Sequence, residues 1–158
     1  MNTLAPLAEQ IAKKLIASKQ TIAVAESSTG GLIAASLLSV PGASAYFLGG
    51  AVVYTRDARR ILMDISDADM KGFRSASEPY AQLLATRMRE RFATDWGISE
   101  TGATGPTGNR YGDAAGHSCM AIAGPANKVV TLETGSGDRA ANMHAFAAHA
   151  LTLLLKNL

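Results

Sequence analysis

Six consecutive residues, Glu26-Ser27-Ser28-Thr29-Gly30-Gly31, put one carboxylate, three hydroxyls and two glycines into one short stretch. A hydroxyl becomes a nucleophile when a neighbouring base takes its proton. The apolar run Ile22-Ala23-Val24-Ala25 before it reads as a strand covered on both faces. After it, Leu32, Ile33, Leu37 and Leu38 recur at helical spacing. A strand, a small-residue turn and a helix leave backbone N–H groups open at the helix start, which attract anions such as phosphate. The turn also falls at the carboxyl end of a strand, where open α/β sheets bind ligands. The same hydroxyls serve equally as simple helix N-caps, so this stretch taken alone is compatible with either role.

Three other stretches carry matching chemistry. Tyr54-Thr55-Arg56-Asp57-Ala58-Arg59 supplies a phenol and guanidinium groups after an apolar run. Residues 101–116 carry glycines at 102, 105, 108, 112 and 116 and few apolar side chains. So long a loop in a compact domain is usually functional or disordered. Gly137-Asp138-Arg139 opens the last helix. A nucleophile, a phenol, cations and backbone N–H groups suit attack on a carbonyl or grip on a phosphorylated small molecule. Gly30 and Gly31, with Arg59 and Arg139 nearby, predict phosphate binding at the helix start. No Gly-Lys-Ser/Thr follows the glycines, so the Walker A pattern is absent. Ser27 has Glu26 before it and Ala25 two before, so G-x-S-x-G is absent too.

The elements that must hold these residues follow from composition and periodicity. A chain of 158 residues with 47% hydrophobic and 18% charged content predicts one globular domain. The net charge of +2 without a basic run argues against a nucleic-acid partner. Cys119 is the single cysteine, and His117, His144 and His149 lack metal-site spacing, so neither a disulfide nor a metal or other cofactor is expected. No run is long enough to span a membrane and no signal peptide is evident, which makes a cytoplasmic protein the default expectation. Periodicity predicts a helix over 4–18 capped by Thr3, a strand over 21–25 and a helix over 30–39 ended by Pro41-Gly42. A second strand is expected at 51–54 after Gly49-Gly50, then a helix to Met63 and a polar loop over 66–75. A helix over 77–92, with Arg87, Arg89 and Arg91 mostly solvated, leads to a strand ending near Glu100. Strands at 117–123 and 127–134, joined by Gly124-Pro125, precede a helix over 139–157. The predicted fold is α/β: a three-layer α/β/α sandwich with a mixed sheet, a single domain over residues 1–158.

Five segments in order, E-S-S-T-G-G-L-I-A at 26–34, P-G-A-S-A-Y-F at 41–47, G-G-A-V-V-Y-T at 49–55, T-G-A-T-G-P-T-G at 101–108 and G-D-R at 137–139, resemble the CinA C-terminal domain family. That family includes nicotinamide mononucleotide deamidases. The resemblance implies a stand-alone domain, an α/β/α sandwich, a homo-oligomer and a small-molecule nucleotide ligand. It implies Ser27 as nucleophile, with Tyr54 and the position of Arg59 completing the catalytic set. Glu26, Ser28, Thr29, Gly30, Gly31, Gly102, Gly105 and Arg139 form the implied substrate-binding set. Ser28 stands where the family motif has cysteine, and Asp113-Ala114 where its loop has Lys-Pro. Arg59 stands where the family has lysine. A desolvated lysine can lose its proton and activate a serine, whereas arginine stays charged. The resemblance therefore implies an amidohydrolase for nicotinamide mononucleotide whose activity is impaired or lost. The alternatives are a non-catalytic nucleotide-binding or regulatory paralogue, a hydrolase with another substrate, and a purely structural role for the glycine loops.

Overall fold

The computed structural model describes residues 3–158. Helix α1 spans Ala5–Ser18, β1 Ile22–Glu26, α2 Leu32–Leu38, β2 Phe47–Val52 and α3 Arg56–Met63. They are followed by α4 Glu78–Phe92, β3 Trp96–Ala103, β4 His117–Ala123, β5 Lys128–Glu133 and α5 Arg139–Asn157. One five-stranded sheet runs in the order β2-β1-β3-β4-β5. β1 pairs in parallel with β2 and β3, while β3, β4 and β5 pair antiparallel. The sheet is therefore mixed, between two helical layers.

Alternation along the central strands decides which helix lies where. Ile22 and Val24 of β1, with Ile98 and Met120, pack into a cluster with Leu15 of α1, Ile33 of α2 and Phe146 of α5. Ala23 and Ala25 face the other way, toward Met63 of α3 and Tyr80, Leu84 and Met88 of α4. Small residues on that face let α4 sit close: a Cβ on Gly97 would run into the Ala85 backbone carbonyl. β1 is buried along its whole length, as a strand covered on both faces must be.

Several element boundaries differ from the sequence expectation. The second strand begins at Phe47, includes both glycines and ends before Tyr54. Gly49 lies where the pairing with β1 slips, Ile22 facing Phe47 and Ala23 facing Gly49 with Leu48 between them, and a Cβ there would also strike the Phe92 ring, so a register irregularity and close packing meet at this glycine. β3 continues through Gly102 and Ala103, paired with Ser118 and His117, so the glycine loop starts three residues later than the composition suggests. Gly102 accepts no side chain: a Cβ would lie 2.6 Å from the His117 carbonyl oxygen. α2 is only seven residues long. Thr3 does not cap α1; Leu4 occupies the cap position without a side-chain bond. Arg87 and Arg89 are tied to backbone rather than solvated, Arg87 donating to the carbonyls of Met63 and Asp64 and Arg89 to that of Asp95. Such bonds close the exposed C-terminal carbonyls of α3.

Candidate functional site

The turn between β1 and α2 is held by two buried glutamates. Glu26, the last residue of β1, folds its carboxylate back over the start of α2. It accepts from the N–H groups of Gly31 at 2.9 Å, Ile33 at 3.1 Å and Ala34 at 2.9 Å. The helix start expected to bind phosphate is thus filled by the chain's own carboxylate. Glu100, from the middle of β3, takes the other side of the turn. Its Oε1 accepts from the N–H groups of Ser27 at 3.2 Å and Thr29 at 2.8 Å, and its Oε2 from the hydroxyls of Ser28 and, at 3.0 Å, Ser118. Thr29 Oγ1 lies between the two glutamates, 2.6 Å from Glu26 Oε1 and 2.9 Å from Glu100 Oε1. Burial pushes the Glu100 carboxyl above the usual carboxylate range, and the hydroxyl and N–H donors only partly oppose it. Gly30 and Gly31 adopt positive φ, which lets the chain reverse within this short turn.

Ser27 and Ser28 point the turn into two neighbouring cavities. Ser27, Tyr54, Arg59, Tyr80 and Tyr111 all line a cavity of about 360 Å³. Ser28, Tyr54, Gly105 and Arg139 line a second of about 220 Å³, with Tyr54, Gly102 and Asn109 shared between them. In the larger cavity Arg59 donates from Nη1 to Ser75 Oγ at 3.1 Å, with its guanidinium carbon 5.7 Å from the centre of the Tyr80 ring. Its Nε is buried and has no partner among the described residues. No group lies within hydrogen-bond distance of the Ser27 hydroxyl among the described residues, so no base is poised on it. In the smaller cavity Arg139 donates to the Gly105 carbonyl at 2.6 Å and to the Tyr54 hydroxyl at 3.2 Å. Asp138 caps α5 through the Ala141 N–H, which sets where Arg139 starts.

The wall made by residues 104–116 is braced from outside the turn. Arg74 forks onto both oxygens of Asp113, at 2.6 and 2.9 Å. Asn109 donates to Asp113 at 2.8 Å and accepts from the N–H groups of Tyr111 and Asp113. Burial favours the neutral acid at Asp113, but Arg74, Asn109 and His117 outweigh it and hold the carboxyl below its usual range. His117, at the start of β4, faces the Glu133 carboxylate through Nδ1 and the Ala76 carbonyl through Nε2 at 2.7 Å. Neither partner carries a hydrogen there, so only the imidazolium donates to both. Burial disfavours its charge, yet Glu133, the Ala76 carbonyl and Asp113 raise its pKa above the ordinary value.

The structure therefore brings Ser27, Tyr54 and Arg59 to one cavity, and Ser28, Gly102, Gly105 and Arg139 to its neighbour. Glu26, Thr29, Gly30 and Gly31 do not face either; they build the turn. Glu100, Ser75, Tyr80, Asn109 and Tyr111 are site residues that sequence reasoning did not single out. Glu100 carried a usable signal: a carboxylate closing the otherwise uncharged strand Trp96-Gly97-Ile98-Ser99, which a buried strand tolerates only with partners. Tyr80 is expected on the inward face of its helix, and Asn109 and Tyr111 fall in the glycine-rich loop read as functional, but residue type alone did not assign them to the site; Ser75 comes from a polar loop and carried no signal. Among the described residues no helix is long and apolar enough to cross a membrane.

Comparison with known proteins agrees with this architecture. The family model of the CinA C-terminal domain matches residues 4–158. The CinA-like protein of Chlorobium limicola is 37% identical over 150 residues, covering 92% of this chain and 35% of that protein. A second CinA-like protein, from a Sulfurihydrogenibium species, is 43% identical over 100 residues, or 63% of this chain and 25% of its own. The chain thus spans about a third or less of the length of these relatives. Among solved structures, the competence-damaged protein (CinA) superfamily protein of Escherichia coli superimposes with a TM-score of 0.92 at 28% identity, covering 98% of this chain and 90% of that one. Competence/damage inducible protein CihA of Agrobacterium tumefaciens gives 0.88 at 27% identity, covering 97% and 94%.

Proposed function

The chain belongs to the CinA C-terminal domain family, and from that premise we propose that it is a nucleotide-pocket protein in which amide hydrolysis through Ser27 is impaired or lost. The ligand class is a pyridine nucleotide, and the reaction at issue is deamidation of nicotinamide mononucleotide to nicotinate mononucleotide and ammonia. The larger cavity suits such a ligand: about 360 Å³ within the usual range of small-molecule pockets, with aromatic rings and guanidinium groups on its walls. Tyr80 and Tyr111 offer faces for a planar ring, and Arg59 and Arg110 offer forks for a phosphate.

The observation that carries the reading is Arg59. It occupies the cavity that Ser27 lines, and it is a fixed cation there. An arginine in the cavity that Ser27 lines takes no proton from the hydroxyl, while a neutral amine there could. The polar environment of Arg59, bonded to Ser75 and laid over Tyr80, suits binding rather than proton transfer.

Ammonia release from nicotinamide mononucleotide by the unaltered protein, Arg59→Lys and Ser27→Ala tests this. The unaltered protein is expected to be near background. General-base assistance is worth ~10²–10⁴-fold, so Arg59→Lys is expected to raise the rate by part of that, with Asp113-Ala114 limiting the gain. Ordinary enzymatic turnover by the unaltered protein, abolished by Ser27→Ala, would overturn the proposal. Binding of the nucleotide without turnover in either protein would favour the regulatory or nucleotide-binding paralogue.

A further inference from the structure

The turn that carries Ser27 carries a second hydroxyl with a carboxylate already upon it. Ser28 Oγ donates to Glu100 Oε2. Ser28 also lines the smaller cavity, beside Tyr54 and Arg139. We infer that Ser28 and Glu100 are a nucleophile–base pair that acts on a small ester or amide carbonyl in this second cavity, independently of Ser27 and Arg59.

The partners of Glu100 are arranged to accept it in either protonation state. Ser118 Oγ lies 3.0 Å from Glu100 Oε2 and 3.2 Å from the Thr101 carbonyl. Its single hydrogen can point at the carboxylate, or turn to the carbonyl and leave the oxygen free to accept from a protonated Glu100. Thr29 Oγ1 stands in the same relation on the other side, able to donate to Glu100 or to Glu26. A carboxylate that only braces the turn needs donors; one that receives a proton also needs neighbours that reorient without moving. Glu100 has both kinds, since the N–H groups of Ser27 and Thr29 stay donors throughout. Burial, by raising its affinity for a proton, makes it a stronger base than an exposed glutamate.

The reaction balances on groups at hand. Glu100 takes the Ser28 proton as Ser28 Oγ bonds to the carbonyl carbon and the C=O electron pair moves to oxygen. Arg139 donates to the Tyr54 hydroxyl oxygen, which leaves the phenol proton free to face that oxyanion. The leaving nitrogen or oxygen departs into the cavity and takes a proton from water there, which leaves acyl-Ser28, a hydroxide and protonated Glu100, whose carboxyl is closed to solvent. The hydroxide attacks the acyl group, the acid leaves, and protonated Glu100 returns its proton to Ser28 Oγ. The inference shares Tyr54 and Arg139 with the site of the proposed function, but it does not require a nucleotide in the larger cavity.

Labelling with a short-chain fluorophosphonate tests it, since a base-activated serine displaces fluoride and keeps the phosphonyl group. Fragment-ion mass spectrometry then locates the adduct. The expected result is a label on Ser28, retained in Ser27→Ala, absent in Ser28→Ala, and formed ~10²-fold or more slowly in Glu100→Gln. Glutamine keeps an acceptor for the Ser27 and Thr29 N–H groups, which preserves the turn. In the unaltered protein the labelling rate should rise with pH as Glu100 ionises, with a midpoint above that of an ordinary glutamate; the other titratable group facing it is Glu26, across Thr29. This profile carries the test by itself if Glu100→Gln does not fold. A label on Ser27, no label at all, or a rate unchanged in Glu100→Gln or flat from about pH 5 to about pH 9 would overturn the inference. Rapid ammonia release from nicotinamide mononucleotide abolished by Ser28→Ala would uphold it while overturning the proposed function.

Discussion

The β1–α2 turn and the loop between β3 and β4 form facing walls of one site, and both are fixed by carboxylates, yet by opposite means. In the turn, Glu26 and Glu100 are fully buried and their partners are backbone N–H groups and hydroxyls. Among the described residues no cation pairs with either one. In the loop, Asp113 is paired with the half-exposed Arg74 and sits 3.7 Å from His117. The turn is therefore set by hydrogen bonds that exist only when the sheet and α2 are in place. The loop is set by charges that solvent and pH can reach. Buried acceptors without cations hold geometry and tune a proton; ion pairs at the rim hold shape and respond to conditions.

The comparison breaks first at Glu26. Glu26→Ala strands the buried N–H group of Ile33 and the partly buried ones of Gly31 and Ala34, a donor costing about 1–3 kcal/mol when left unpaired and buried. A loss of about 3 kcal/mol or more in denaturant unfolding is expected. A loss under about 1 kcal/mol would mean that water or Glu100 replaces it, and that the turn is no more rigid than the loop.

Asp113→Ala should cost less. Breaking a fully buried pair costs about 3–5 kcal/mol, but Arg74 is partly solvated, so about 1–2 kcal/mol is expected. The same variant should weaken nicotinamide mononucleotide binding in calorimetry, because Asn109 and Tyr111 lose their anchor. Stability changed without any change in binding would detach the loop from the site.

At the cavity rim, Arg139→Ala should weaken nucleotide binding by about 1 kcal/mol, roughly fivefold. The difference should shrink at high salt, since Arg139 lies at an exposed edge. A loss independent of salt would assign Arg139 to packing against Tyr54 and Gly105 rather than to charge.

The smallest effect concerns pH. His117 has a raised pKa in the folded state, so it binds its proton more tightly folded than unfolded. Its contribution is fully present below the ordinary histidine pKa and is lost as pH rises through the raised value. Asp113, Glu133, Cys119 and, through Asp113, Arg74 are the titratable or charged groups around it. Unfolding free energy should therefore fall between mildly acidic and mildly alkaline pH, and His117→Gln should flatten that slope. Glu100 slopes in the same direction, so a slope left intact in His117→Gln would move the titration into the turn.

How much of this was legible in the sequence depends on distance along the chain. β1 and α1 were readable because their apolar residues repeat at the periods of strand and helix. The extent of β2 was not, since Gly49 and Gly50 look like punctuation until Phe92 arrives beside the first and the Val24 carbonyl beside the second. The end of β3 was hidden for the same reason: Thr101-Gly102-Ala103 reads as loop, and only pairing with His117, Ser118 and Cys119 makes it strand. Ser27, Tyr54 and Arg59 could be named as candidates because their segments follow apolar runs at strand ends and match the pattern of the family the chain resembles.

By itself the sequence determined the α/β order of elements and the hydroxyl-bearing turn, which are local properties for which residue type and spacing suffice; that Arg59 stands in place of a lysine came from the resemblance to the family. The tertiary structure alone decided which base each hydroxyl meets. Glu100 lies more than seventy residues from Ser28 and reaches it only because β3 pairs beside β1. It also decided that Glu26 fills the helix start that the local pattern leaves open for an anion. Strand pairing sets such contacts, and a hydrogen bond between distant residues leaves no period in the sequence to read.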